Sequence, residues 1–123
     1  MEGAYVFRVR FRLESAVVDA DPDTFETVVR YPAASPGDGE EWRFFEEWLW
    51  RGELTDERRF RDVMEEWLSV PVASVRFSEL AVDEAYLDAW TDAVASEVER
   101  YNADSAGAVR HNHLGSSVRV VDG

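Results

Sequence analysis

The chain has 123 residues, with 26 Asp and Glu against 13 Lys and Arg, and a formal net charge of −13. This length predicts one domain over residues 1–123, with a core that needs no disulfide or metal to be stable. The absence of cysteine excludes disulfides, thiolate metal sites and cysteine nucleophiles. No apolar run approaches the roughly 20 residues that a membrane helix needs, so we expect a cytoplasmic protein without a membrane partner.

The charge pattern favours adaptation to high salt. All 13 basic residues are arginine, and lysine is absent. Molar salt screens self-repulsion within a few ångströms, so an acidic surface costs little there and keeps a protein soluble. A nucleic-acid mimic or a binder of basic partners would also be acidic, but lysine depletion has no role in it.

Two strands are predicted near the amino terminus. Residues 4–14 alternate strictly between apolar residues and arginine, and residues 24–31 alternate again. This period of two is typical of half-buried strands. An acidic turn region over residues 15–24 separates them. The predicted apolar face carries Tyr5, Phe7, Val9, Phe11 and Leu13 from the first strand, and Phe25, Val29 and Tyr31 from the second.

A tryptophan-rich helix is predicted over residues 40–51, ended by Gly52. At 100° per residue, most of its large apolar side chains share one arc and are predicted to lie in the core. Trp50 falls on the opposite arc, among acids and arginine. A covering loop or helix would bury its indole; otherwise Trp50 is an exposed aromatic anchor for a partner. The predicted core residues are Trp42, Phe44, Phe45, Trp48 and Leu49.

The second half predicts three more helices and two more strands. The first helix begins at an N-cap Thr55, carries an apolar stripe and ends before Pro71. A strand over residues 72–78 follows, with Ala73, Val75 and Phe77 on one face. Two helices capped by Asp83 and Asp104 come next, the second ending at Gly115, before a last strand over residues 117–121. The two stripes are Phe60, Val63, Met64, Trp67 and Leu68, then Leu87, Trp90, Val94, Val98 and Tyr101.

The order ββααβααβ, with strands apolar on one face, predicts an α+β fold. The expected architecture is a mostly antiparallel four-stranded sheet with helices packed on one face. The opposite face would then be open and locally basic. It would carry Arg8, Arg10, Arg12, Arg30, Arg76 and Arg119, with Glu14 and Glu26 as its acids.

This arginine-lined face has three interpretations. In the first, the arginine stems shield the sheet while the guanidinium groups pair with acids of this chain or of a second subunit. The face could also bind an anionic partner, including nucleic acid. The sequence argues against nucleic acid here. Proteins that bind RNA on a sheet face stack bases on exposed aromatic side chains, but the aromatic residues of these strands are predicted to lie on the apolar face. A homodimer closing sheet on sheet, or sheet on an acidic helix, is the third interpretation.

Signals for catalysis and cofactors are weak. His111 and His113 would share a face on a strand but diverge on a helix end, and no third metal ligand is evident. Residues 113–117 lack the lysine and spacing of a phosphate loop, and no Ser, His and Asp group into a triad. We therefore predict no metal, no cofactor and no catalytic residue.

The sequence resembles the LWR-salt proteins, small proteins of salt-loving archaea named for a tripeptide that stands here at residues 49–51. The runs YVFRVRFRLE, LWRGEL, FSEL, DEAYLDA and LGSSVRV are in keeping with that family across nearly the whole chain. The resemblance implies a halophilic cytosolic setting and places emphasis on Leu49, Trp50 and Arg51. It implies no catalytic residue, because the family has no assigned activity.

These observations favour a non-enzymatic protein-interaction module, with a protein partner or a second copy in a homodimer. The alternative is a nucleic-acid-associated protein that uses the arginine-lined face. A small-molecule enzyme would need a deep pocket beside His111 or His113. The residues predicted to bind are Trp50, Arg51, Arg8, Arg10, Arg12, Arg30, Arg76 and Arg119.

Overall fold

The computed structural model describes residues 1–12 and 24–121. Leu13, Glu14 and most of the predicted acidic turn region lie outside the described residues. In chain order the elements are β1 (Gly3–Arg12), β2 (Thr24–Pro32), a 3₁₀ helix (Glu41–Arg43), α1 (Phe44–Trp48), β3 (Leu49–Trp50), β4 (Glu53–Leu54), α2 (Glu57–Leu68), β5 (Val72–Val82), α3 (Glu84–Ala95), a second 3₁₀ helix (Val98–Tyr101), α4 (Ala106–Leu114) and β6 (Val118–Val120).

The main sheet has four strands in the order β2-β1-β5-β6. β1 pairs antiparallel with β2 and with β5, whereas β6 pairs parallel with β5. The α+β class is confirmed, but the prediction of a mostly antiparallel sheet is only partly right, because the sheet is mixed. The parallel pair arises because α3 and α4 form a crossover between β5 and β6, and such a crossover returns the chain in the same direction.

Two irregularities in β5 change which side chains share a face. The register between β1 and β5 shifts between Arg10 and Phe11 and again between Val6 and Phe7. Ala73 is exposed while Val72 and Val75 are buried, so the prediction that Ala73 lies on the apolar face is wrong. A bulge inserts one residue and reverses the alternation beyond it.

The long helices begin at side-chain caps. Asp83 Oδ1 accepts the Tyr86 backbone N–H at 2.8 Å, as predicted for α3, and this hydrogen bond lowers the pKa of Asp83. Asp56 caps α2 by accepting from Arg59 N, so the cap lies one residue after Thr55. Ser105 caps α4 in place of Asp104, accepting from Ala108 N at 3.1 Å. Each cap satisfies a backbone donor that the helix leaves unpaired.

The predicted helix over residues 40–51 is replaced by three short elements. A 3₁₀ turn leads into α1, which ends at Trp48, and Leu49 is already extended. β3 and β4 then form a separate two-stranded ribbon that pairs Leu49 with Leu54 and Trp50 with Glu53. Both turn residues have positive φ, 51° at Arg51 and 79° at Gly52, as a two-residue hairpin turn of type I′ requires.

The core lies between the apolar face of the sheet and the helices. Tyr5, Phe7 and Val9 of β1 meet side chains from α1, α2, α3 and α4 in one cluster. The predicted core residues Trp42, Phe45, Trp48 and Leu49 are all buried, and Phe44 is half-buried within the same cluster. None of the helices in residues 1–12 and 24–121 is long and apolar enough to cross a membrane.

Candidate functional site

The arginine-lined face is assembled by the register of three strands. Arg8 lies directly opposite Arg76 of β5, and Arg10 lies opposite Glu26 of β2. Residues that oppose each other in antiparallel strands share a face of the sheet. All six predicted arginines are exposed: Arg8, Arg10, Arg12, Arg30, Arg76 and Arg119.

The face carries few compensating carboxylates. Glu26 accepts from Arg8 at 3.1 Å, and Glu79 accepts from Arg119. Glu79 was not among the predicted residues of this face, because the predicted strand ends at Ser78 and local alternation gives no sign of the bulge that sets Glu79 opposite Val6. Among the described strand residues, six arginines against two glutamates leave this face with a net charge of +4 in a protein of −13.

Four of the six arginines make no ion pair within residues 1–12 and 24–121: Arg10, Arg12, Arg30 and Arg76. Arg8 and Arg76 are like charges placed directly across from each other, an arrangement that destabilises a strand pair. Glu26 pairs with Arg8 and so reduces this repulsion at Arg8, whereas Arg76 has no such carboxylate among the described residues. The remaining side chains of the central rows are small or aliphatic, including Val28, Val6 and Ser74. An anion that binds between the guanidinium groups would remove this repulsion.

Trp50 and Arg51 lie on a different surface, at the tip of the β3–β4 ribbon. Trp50 is 46% exposed, and its indole meets the ring of His113 edge to face at 5.3 Å. Arg51 is exposed and makes no ion pair in the described part of the chain. The ribbon packs against α4, on the helix side of the sheet, so this pair does not share the face that carries the arginines.

The ribbon is docked on the carboxyl end of α4. Arg51 N donates to Asn112 O at 2.6 Å, and Gly52 N donates to His113 O at 3.0 Å. These N–H groups satisfy carbonyls that the last turn of a helix leaves free. Leu49, the first residue of β3, is fully buried. The tripeptide at residues 49–51 thus combines a core residue, a half-exposed aromatic and an exposed cation in a left-handed turn.

The two histidines diverge, as expected for the end of a helix. His113 is buried and its Nδ1 lies 2.8 Å from Leu49 O, whereas His111 is exposed. A carbonyl only accepts, so Nδ1 must carry the proton in this bond. No group of three or more His, Asp or Glu suited to a metal occurs among the described residues.

A groove on the helix side was not anticipated. It has a volume of about 980 Å³ and lies between the end of β2, α1 and α2. Trp67, from the apolar stripe of α2, is 49% exposed there. The 3.6-residue period places Trp67 with its stripe but carries no information on whether another element covers it, so the pattern held no signal for this groove.

No curated protein matches the chain, and no solved structure matches it. The model of the LWR-salt protein family matches residues 1–123. That match spans the described sheet, its six arginines and the ribbon that carries residues 49–51. The chain therefore belongs to the LWR-salt protein family.

Proposed function

We propose that this protein is a non-enzymatic interaction module that binds an acidic surface of another protein through the arginine-lined face. The proposal is carried by one observation: Arg8 and Arg76 oppose each other beside arginines that have no carboxylate partner among the described residues. Guanidinium groups form bidentate pairs with carboxylates, and such pairs are stronger than single charged contacts.

The charge of the face favours a different molecule over a second copy. Sheet-on-sheet closure of two copies would place six arginines against six, which is repulsive. Sheet-on-helix contact between copies is heterologous and produces open filaments unless the rotation closes. A homodimer would therefore have to use another surface, such as the free edge of β2 or of β6.

Nucleic acid is the alternative partner, since phosphates also bind guanidinium groups. Single-stranded readers add aromatic side chains on which bases stack. The described residues that share the face with the arginines include no aromatic side chain: the aromatics of β1 point to the core, and Phe25 pairs with Phe11 on that same side. The face thus offers charge without base contacts, which favours carboxylates of a protein.

The half-exposed Trp50 supports an interaction role independently. Its indole is held against His113 at an interplanar angle of 90°, so little side-chain entropy is lost when a partner covers it. Rigid aromatic side chains are frequent anchors of interfaces. Trp50→Ala should weaken a complex that uses this tip, and Trp50→Phe should restore part of the binding.

The test begins with protein purified natively in molar KCl and analysed by size exclusion with light scattering and mass spectrometry. A defined complex with a second protein is expected. Arg10→Glu should abolish it, whereas Arg58→Glu should not, because Arg58 is exposed on α2 outside the face. A bare monomer, or a complex that survives Arg10→Glu, contradicts the proposal. Ultraviolet absorbance that nuclease removes would establish the nucleic-acid alternative instead.

We further infer a cytoplasm of high salt as the working environment. The net charge of −13 and the absence of lysine support this inference. The Debye length falls from about 10 Å at 0.1 M salt to about 3 Å at 1 M, so self-repulsion weakens as KCl increases. The free energy of unfolding, measured with urea, should rise with KCl concentration. A flat or falling dependence would contradict high-salt adaptation.

A further inference from the structure

The groove beside α2 has an aromatic lining. Tyr31 and Trp67 meet edge to face there at 5.4 Å, and Phe44 and Trp48 continue the lining along α1. Tyr31 also lies 5.3 Å from Phe44. The groove has a volume of about 980 Å³, which is at the upper end of the volumes of ligand-binding pockets. The exposed indole of Trp67 is apolar area that an occupant would remove from water.

The rim of the groove is acidic. Glu40, Glu41, Glu47 and Glu66 line it, and all four are exposed. Among them, only Glu47 forms an ion pair within the described residues. Arg43 is the one cation in the lining, and its guanidinium is already committed to Glu97 at 2.5 Å. The groove therefore presents aromatic faces together with uncompensated negative charge, which is complementary to an organic cation.

Trp48, whose side chain lines the groove, already holds such a cation. The guanidinium of Arg59 lies 4.4 Å from the ring centroid of Trp48 and donates to Glu47 Oε1 at 3.0 Å. A cation over an aromatic face is attracted by the ring quadrupole, and the carboxylate adds a charged hydrogen bond. Trp67 and Glu66 repeat the same two residue types on α2, but no cation of the described chain lies over Trp67.

We propose that this groove binds an arginine-bearing segment of a partner protein, with a guanidinium group stacked on Trp67 and paired with Glu66. A segment fits better than a small cation because the free carboxylates lie on separate elements. Glu66 is on α2, whereas Glu40 and Glu41 are at the first 3₁₀ helix, so a segment with more than one arginine can pair with carboxylates of both elements. This groove is distinct from the arginine-lined face, so the two binding proposals are independent and an experiment can contradict one of them without contradicting the other.

The probe is an acetylated and amidated peptide that alternates arginine and leucine, titrated by calorimetry and tryptophan fluorescence. The matched control peptide replaces arginine with citrulline, which keeps the planar shape and the chain length but has an uncharged ureido group, with three N–H donors and a carbonyl acceptor in place of five donors. Cation–π and charged hydrogen-bond contributions together predict binding about tenfold weaker for the citrulline peptide and for Trp67→Ala. Glu66→Gln should weaken binding by about threefold.

Control variants separate this site from the rest of the acidic surface. Phe25→Ala and Glu99→Gln change exposed residues outside the groove and should leave the affinity unchanged. Both Trp67 and Glu66 are exposed, so their variants should melt cooperatively near the parent temperature. Equal affinity for the citrulline peptide, or an affinity insensitive to Trp67→Ala, overturns the proposal. So does binding of methylguanidinium as tight as that of the peptide, or no binding of the peptide.

Discussion

His113 Nδ1 donates a hydrogen bond of 2.8 Å to the backbone carbonyl of Leu49, joining α4 to the ribbon across 64 positions of sequence. Both residues are buried. Within the ribbon Trp50 pairs with Glu53, and Thr55 N donates to Trp48 O, so the Leu49 carbonyl faces away from β4. The imidazole therefore satisfies a buried acceptor of the ribbon.

His113→Phe should destabilise the fold by about 1–3 kcal/mol, because it keeps an aromatic ring but leaves the Leu49 carbonyl without a donor. His111→Phe is the matched control, since His111 is exposed two residues earlier on α4, and its effect should stay within about 0.5 kcal/mol. Urea unfolding measures both free energies. Equal losses for the two variants would show that the hydrogen bond does not stabilise the ribbon.

The two buried tyrosines Tyr5 and Tyr86 should respond oppositely to removal of their hydroxyl groups. Tyr86 donates to Ala34 O at 2.8 Å, so Tyr86→Phe should cost about 1 kcal/mol. The Tyr5 hydroxyl is buried and lies near the Phe45 backbone N–H without a hydrogen bond of normal geometry, so Tyr5→Phe should be neutral or stabilising. Thermal unfolding of the two variants checks the sign. A larger loss for Tyr5→Phe than for Tyr86→Phe would contradict this prediction.

Alkaline pH should unfold the protein through its buried tyrosines. Burial raises the pKa of Tyr86 from 10.0 to about 12, and it also raises the pKa of Tyr5 well above the ordinary value. The unfolded chain loses these protons first, so the stability gained from the raised pKa of Tyr86 is intact below pH 10.0 and lost as pH rises to about 12. Lysine, which titrates in the same range, is absent.

The measurement is the free energy of unfolding as a function of pH, alongside the absorbance of tyrosinate. In Tyr86→Phe the decline above pH 10.0 should be shallower than in the parent protein. Identical slopes for the two proteins would show that Tyr86 stays accessible to water in the folded state.

Gly52→Ala and Gly107→Ala should change stability in opposite directions. A Cβ at Gly52 would lie 3.1 Å from Ser117 Oγ and 3.2 Å from Leu114 O, at a φ of +79°; the expected loss is roughly 1–3 kcal/mol. At Gly107, within α4, the nearest atom is Ser105 Oγ at 3.8 Å, so alanine should stabilise the helix by about 0.5–1 kcal/mol. Urea midpoints give both signs. A stable Gly52→Ala variant would mean that the turn adopts another conformation.

Local patterns predicted most elements because their causes are local. Alternation with period two identified β1 and β2, and the stripe at Phe60, Met64 and their neighbours identified α2. The arginines of β1 were placed on the open face by the same rule, since a strand directs successive side chains to opposite sides. The acid cap of α3 at Asp83 was predicted from residue type and position alone.

The prediction over residues 40–51 was wrong beyond Trp48 because the decisive contacts come from elsewhere. The backbone N–H groups of Arg51 and Gly52 bond to carbonyls of α4, some sixty residues later in the chain. An Arg-Gly pair between Trp50 and Glu53 is a weak hairpin signal compared with Asn-Gly or Asp-Gly. The helical period correctly predicted that Trp48 and Leu49 are buried. It did not predict that the helix ends at Trp48.

Local patterns alone predicted the four strands of the main sheet, the amphipathic helices, the arginines on one side of β1 and the aromatic residues of the core. These follow from side-chain direction and apolar period, which each segment carries alone. Long-range packing sets the parallel pairing of β6, the bulge that brings Glu79 to the arginine-lined face, the buried hydrogen bond of His113 and the groove at Trp67. Each of these depends on which distant segment packs against a residue, and no local period encodes that choice.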